Sequence, residues 1–172
     1  MTSGAPKPDL VLRDVTPQDI PTVLRLVRGL AEYEGLTHEA VATEADFDSA
    51  LFGPQRQVHG VIADLRGKPI ALALWYYNFS SFLGRPGIYV EDVFVEPEHR
   101  HRGIGGALFR HLARRAVAEK CGRLEWSVFN RNEPSIRFYR SMGARPLDEW
   151  TVQRVSGDDL VALAARQEGA NG

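Results

Sequence analysis

The chain has 172 residues, 44% of them hydrophobic and 25% charged, with a formal net charge of −1. That length supports one substantial core without staples, and the charge balance excludes a global pull toward nucleic acid or acidic membranes. Cys121 is the lone cysteine, which excludes an internal disulfide and fits a reducing compartment, with the thiol read as a small buried residue rather than a nucleophile.

Residues 1–8, MTSGAPKP, lack the apolar centre of a signal peptide and read as a flexible arm; residues 167–172 read as a flexible tail. The domain expected between them covers 9–166. The longest apolar run, Ile70 to Trp75, is too short to cross a bilayer, so the expectation is a cytoplasmic protein with no membrane and no nucleic-acid partner.

Leu10 to Val15 alternates enough for a first strand. Thr16-Pro17 supplies a cap and a proline for a helix carrying Ile20, Val23, Leu24, Val27, Leu30 and Ala31 on one side, ending near Glu34-Gly35. A second helix starts at the cap Thr43, with Glu44 and Asp46 in its first turn, and stops at Gly53-Pro54. Val58 to Asp64 and Ile70 to Tyr77 form a hairpin around Arg66-Gly67-Lys68-Pro69, and Ser80 to Gly87 reads as a longer loop.

Tyr89 to Val95 is a largely buried central strand, rich in β-branched and aromatic residues. Pro97 stops it, and a basic turn leads to Gly103, Gly105 and Gly106, which open a long helix with Ile104, Leu108, Leu112 and Ala116 on its apolar side. Arg123 to Val128 is the next strand. Asn132 to Ser135 caps a short helix ended by Gly143, a closing strand spans Trp150 to Val155, and Asp158 to Ala165 is a last short helix. A further strand can form around Ala144 to Leu147. The whole is a mixed α/β domain.

Two groups of residues point to chemistry. Glycines at a helix start let an anion approach unpaired backbone N–H groups, and Arg100 and Arg102 lie just before them, so this loop suits a phosphate or pyrophosphate. The plainer alternative is a tight turn with solvated arginines. A dinucleotide fingerprint would need glycine at Leu108, and no phosphate-loop Gly-Lys-Ser/Thr is present. The second group is Glu91-Asp92 in the apolar central strand. Alternation sends neighbouring side chains to opposite faces, so these carboxylates cannot share one polar face. Buried, such an acid either gains a raised pKa, suiting a general base, or keeps a charge that holds an ammonium; an ion pair with a covering arginine is the structural alternative. His99, His101 and His111 have no ligand spacing to cysteines or acids, so no metal is expected.

The run Arg100-His101-Arg102-Gly103-Ile104-Gly105 resembles the Arg/Gln-x-x-Gly-x-Gly/Ala signature of the GNAT superfamily of N-acetyltransferases. Asn132-x5-Phe138-Tyr139-x3-Gly143 is similar to the second signature of that superfamily. Leu30 to Glu34, Tyr89 to Val95 and Asn132 to Tyr139 look like its diamine/polyamine branch, which comprises spermidine/spermine and thialysine acetyltransferases. The resemblance extends from about Leu10 to Leu163.

It implies a single-domain GNAT acyl-CoA N-acyltransferase fold, with a mixed, mostly antiparallel sheet of six to seven strands flanked by helices. It implies acetyl-CoA as acetyl donor, a small-molecule primary amine as acceptor, and a homodimer. Arg100, His101, Arg102, Gly103, Ile104, Gly105 and Gly106 would take the pyrophosphate. Val93, Phe94 and Val95 would line the pantetheine, with the backbones of Val93 and Val95 pairing with it as an extra strand. Asn132 and Ser135 belong with this group. Tyr139, by itself readable as a core aromatic, would protonate the departing thiolate. Glu91 would take the proton of the substrate ammonium through water, while Glu34 and Asp92 hold its charge. Polyamine-specific members carry an aspartate, and a tryptophan two residues on, where Ser80 and Phe82 stand here. Phe82 is placed with the acceptor residues, and the missing carboxylate turns the pattern toward the thialysine type. The alternatives are acetylation of a protein lysine or N-terminus, and a non-catalytic CoA-binding sensor.

Overall fold

A computed structural model describes residues 9–166; the expected arm and tail lie outside the described residues. The chain divides between Arg131 and Asn132 into two compact units.

The first unit is built on a five-stranded sheet in the order β1 (Leu10–Asp14), β2 (His59–Leu65), β3 (Lys68–Ser80), β4 (Arg85–Val95), β5 (Leu124–Trp126). The first four strands are antiparallel neighbours, and β5 runs parallel to β4. Arg66 and Gly67 close the β2–β3 hairpin with φ of 54° and 76°, the double positive φ that matches the twist of the flanking strands. The expected loop from Ser80 to Gly87 is mostly strand: Ser80 pairs with Arg85 and Asn78 with Gly87, so only residues 81–84 turn. Glycine and proline there mark the end of a paired strand rather than its absence.

Helices α1 (Ile20–Glu34) and α2 (Glu44–Phe52) pack on one face. Their core joins Val23, Leu26 and Leu51 to Ile62, Leu72, Leu74 and Phe94 of the sheet. A short 3-10 turn, Pro17–Asp19, leads into α1, with the Asp19 carboxylate accepting from both the N–H and hydroxyl of Thr16. Thr43 caps α2 through Asp46 as its composition predicts. Helix α3 (Ile104–Ala118) covers the opposite face, where Arg115 lies over the Trp75 ring and Tyr77 hydrogen-bonds Glu119. Ile104, Leu108 and Leu112 of α3 are buried, as their spacing demands.

The second unit contains α4 (Glu133–Ser141) and α5 (Gly157–Ala164). Neither the closing strand at Trp150–Val155 nor the strand at Ala144–Leu147 forms, so the described residues hold five strands rather than six or seven. An alternating apolar pattern does not make a strand without a partner edge, because its backbone groups need cross-strand acceptors. No strand lies within this unit to supply one, and Trp150 and Val152 are 75% and 80% exposed.

Candidate active site

The feature that shapes the site is an irregularity in β4. Trp75 pairs with Val90 and Leu74 with Asp92, so Glu91 is an extra residue without a cross-strand partner. Such a bulge breaks the pleat and turns consecutive side chains toward one face. Leu74 belongs to the α1–α2 core, and Tyr76, two residues on, shares its face. Glu91 acts electrostatically on Tyr76 and on Asp92, and Asp92 in turn feels Glu34 at the end of α1. The expectation that Glu91 and Asp92 serve opposite faces is therefore corrected, since alternation fails where the ladder has one residue too many.

The electrostatics follow from this crowding. Burial, then the charges of Glu91 and Glu34, push the Asp92 carboxyl up to about 6. Burial also raises Glu34, against the opposing pull of Arg131. Tyr76 is raised by burial and by Glu91, and its ring lies 5.2 Å from that of Tyr89. The Tyr89 hydroxyl shares a 2.6 Å hydrogen bond with Ser127, just beyond β5. Carboxylates packed without a matching cation are costly, and a cationic guest relieves that cost.

The same bulge opens an edge. Ile88 N–H donates to Arg123 C=O at 3.1 Å, so Ile88 and Val90 turn their amide groups toward β5. Past the bulge, Glu96 N–H donates to Ile70 C=O at 3.0 Å, so the even-numbered residues now face β3. Val93 and Val95 consequently point their amides to the other side. There β5 no longer runs alongside, because its pairing with β4 ends at Val90–Trp126. Phe94 turns its amide toward β3 and its side chain into the α1–α2 core, so the structure does not bring it to this edge.

Beyond β4 the chain turns tightly, with His101 at φ 59° and Gly103 at φ 78°. Gly103 caps α3 without a side-chain bond, and the first hydrogen bond of the helix runs from Ala107 N–H to Gly103 C=O. The N–H groups of Ile104, Gly105 and Gly106 precede it and have no acceptor within the helix. Arg102 is exposed beside them. Arg100 is turned elsewhere: its Nε donates to Val95 C=O at 3.0 Å and its guanidinium lies 4.2 Å from the Tyr33 ring. A set of bare N–H donors beside an open strand edge fits a diphosphate joined to an amide-containing arm, which is the chemistry of CoA.

Phe82 stands on the β3–β4 turn and is 95% exposed. At about 3.3 Å per residue, roughly 20 Å of β4 separate that turn from Glu91, so the structure does not bring Phe82 to the carboxylates. In the second unit, Asn132 Oδ1 accepts from Ser135 N–H at 3.3 Å and so caps α4. Tyr139 lies in the last turn of α4, its ring 5.4 Å from that of Phe138. Gly143, at φ 91°, ends that turn as its position predicts.

His99 does have acids in reach, contrary to the reading of its spacing. Glu96, Glu98 and His99 bring ligand atoms within 4.8 Å of one another. Arg25 already ion-pairs with Glu96, so the group has its own cation. Sequence reasoning also missed Tyr76, Tyr89 and Arg131. The two tyrosines meet only through the β3–β4 register, and Arg131 reaches Glu34 across 97 residues of chain.

The family described as Acetyltransferase (GNAT) family matches residues 26–144. The chain is 30% identical to a thialysine N-epsilon-acetyltransferase of Bos taurus, over 91% of this chain and 98% of that protein. It is 29% identical to an L-ornithine N5-acetyltransferase of Arabidopsis thaliana, over 88% and 86% of the two chains. Among solved structures, an integron cassette protein from the mobile metagenome of V. cholerae superimposes with a TM-score of 0.79 at 26% identity, covering 92% of this chain and 99% of that one. With the motif at Arg100–Gly105 on the tight turn before α3, and the match running from α1 to the end of α4, the chain belongs to the GNAT family of acetyltransferases.

Proposed function

We propose that this protein is an acetyl-CoA-dependent N-acetyltransferase acting on the primary amine of a small molecule. The observation that carries the reading is the β4 bulge, which gathers Glu91 and Asp92 with Glu34 beside an open strand edge. The activities named for the relatives, on thialysine and on ornithine, support an amine acceptor.

Acetyl-CoA supplies the acetyl group as a thioester. An alkyl ammonium with a pKa near 10.4 carries the attacking lone pair in only about one molecule in a thousand at neutral pH. Asp92 and Glu34 hold the ammonium by charge, and Glu91, exposed at the bulge, accepts its proton through water. Backbone N–H groups on the open side of β4 orient the thioester carbonyl and stabilise charge on its oxygen. Tyr139 donates a proton to the departing sulfur. Proton acceptor and donor are then separate groups, and no covalent enzyme intermediate is needed. A specific observation favours a second assignment within this scheme: the Asp92 carboxyl, pushed up to about 6, is itself tuned to accept a proton near neutrality.

A panel of diamines, diamino acids and lysine peptides, followed by thiol release from acetyl-CoA, tests the proposal. Small amines are expected to turn over, and Tyr139→Phe is expected to lower kcat by at least about tenfold with little change in acetyl-CoA affinity. Turnover of peptides alone would move the reading to a protein acetyltransferase. Binding of CoA with no turnover of any amine would make the protein a sensor.

A further inference from the structure

The acidic group has a cation at one end, and its placement bears on which amine fits. Arg131 Nη2 donates to the backbone carbonyl of Glu34 at 3.2 Å, and the guanidinium lies 4.8 Å from the Phe129 ring. The side chain is exposed, and among the described residues no carboxylate stands within ion-pair distance of it. One of its five N–H donors is used, and stacking on a ring leaves the edge of the guanidinium plane available.

Asp92 feels Glu91 and Glu34, while Glu34, whose backbone carbonyl accepts from Arg131 at 3.2 Å, also feels that guanidinium. The polarity therefore runs from acidic at the bulge, through Glu34, to basic at Arg131. A diamine bound with one ammonium at Asp92 would bring its second cation toward a guanidinium. An amino acid carrying a side-chain amine places a carboxylate in that region instead, where a planar fork can grip both oxygens.

We propose that Arg131 is a specificity-determining residue, which reads the α-carboxylate of an amino-acid acceptor whose side-chain ammonium is held by Glu34, Glu91 and Asp92. The inference rests on the acceptor site assigned above. Arg131 also caps the C-terminal end of α1 through the Glu34 carbonyl, a structural role that uses a different donor. Kinetics separate the two roles, because a cap alone would affect every acceptor equally.

The experiment pairs each amino acid with its decarboxylated counterpart, ornithine with putrescine and lysine with cadaverine, using the full chain and saturating acetyl-CoA. The unsubstituted protein is expected to prefer the amino acid in kcat/KM. Arg131→Gln is expected to raise KM for ornithine and lysine by about tenfold or more, while KM for putrescine and cadaverine stays level or falls. Arg131→Lys keeps the cation at the helix end but not the fork, and is expected to lose part of the preference with an unchanged melting temperature. Parallel loss for both members of each pair, or a preference for the diamines, overturns the role of Arg131 while leaving the amine site intact. Absence of turnover with every amine overturns the acceptor site and this inference together.

Discussion

At the residue scale the informative group is Asp92. Its folded-state pKa of about 6 lies above the ordinary aspartate value of 3.8 because burial and two neighbouring carboxylates oppose its charge. A raised acid favours the folded state fully below pH ~4, and that contribution is lost as the pH rises through about 6. At neutral pH the ionised group therefore costs on the order of 3 kcal/mol. Asp92→Asn is expected to raise stability at pH 7.5 by about that amount and to leave it unchanged near pH 3.5, as denaturant titration at the two pH values would show. The same substitution is expected to lower kcat/KM for amines and to remove an acidic limb near pH 6. A limb that persists in the variant would assign that titration to another group. Glu91 and Asp92 were legible as chemical candidates because two adjacent acids in an apolar strand need a reason. Their shared face was not legible, since nothing in Tyr89–Val95 announces which residue the β3 register will skip.

At the element scale, one extra residue in β4 and the positive φ of Gly103 at the start of α3 do most of the work. The bulge gathers the acids and turns the amides of Val93 and Val95 to the open edge. Gly103 lets the chain enter α3 with its first N–H groups bare. A Cβ at Gly103 would meet no atom within 4 Å, so the penalty of Gly103→Ala is conformational, about 1 kcal/mol from the φ of 78°. The variant is expected to stay folded and to lose acetyl-CoA affinity, which calorimetric titration would measure. Undiminished affinity would remove this helix start from the binding site. The helices themselves were readable from caps and periodicity. The fifth strand was also readable, within Arg123 to Val128, but its ends and those of the hairpins were not, because pairing partners rather than propensity decided where they stop.

At the scale of the whole molecule, pH acts on stability through acids shifted in opposite senses, Asp92 upward and Asp19 downward among them. Hydrogen bonds from the Arg13 guanidinium, at 2.7 and 2.8 Å, pull the Asp19 carboxyl down to about 2, against the effect of burial. A depressed acid stabilises above its unfolded value near 4, and that stability is lost as the pH falls through about 2. Arg13, on β1, also bonds Asp64 on β2 at 2.5 Å, linking the two strands. Arg13→Ala is expected to cost about 2 kcal/mol at pH 7, after allowance for its partial exposure, and to flatten the acid-unfolding curve between pH 4 and 2. An acid limb as steep as before would place the titrating pair elsewhere.

Apart from the tyrosine, whose role comes from the family resemblance alone, the amino-acid order determined the α/β class, the helix caps, the phosphate-suited turn and the adjacent acids of the central strand. These are local properties, set by side-chain spacing, φ requirements and the four unpaired N–H groups at any helix start. Tertiary structure alone decided which backbone edge stays open, which carboxylates share a face, and that Arg131 meets Glu34. Those outcomes depend on register and on pairs distant in sequence, where a shift of one residue reverses every side chain and no short stretch of letters carries the answer.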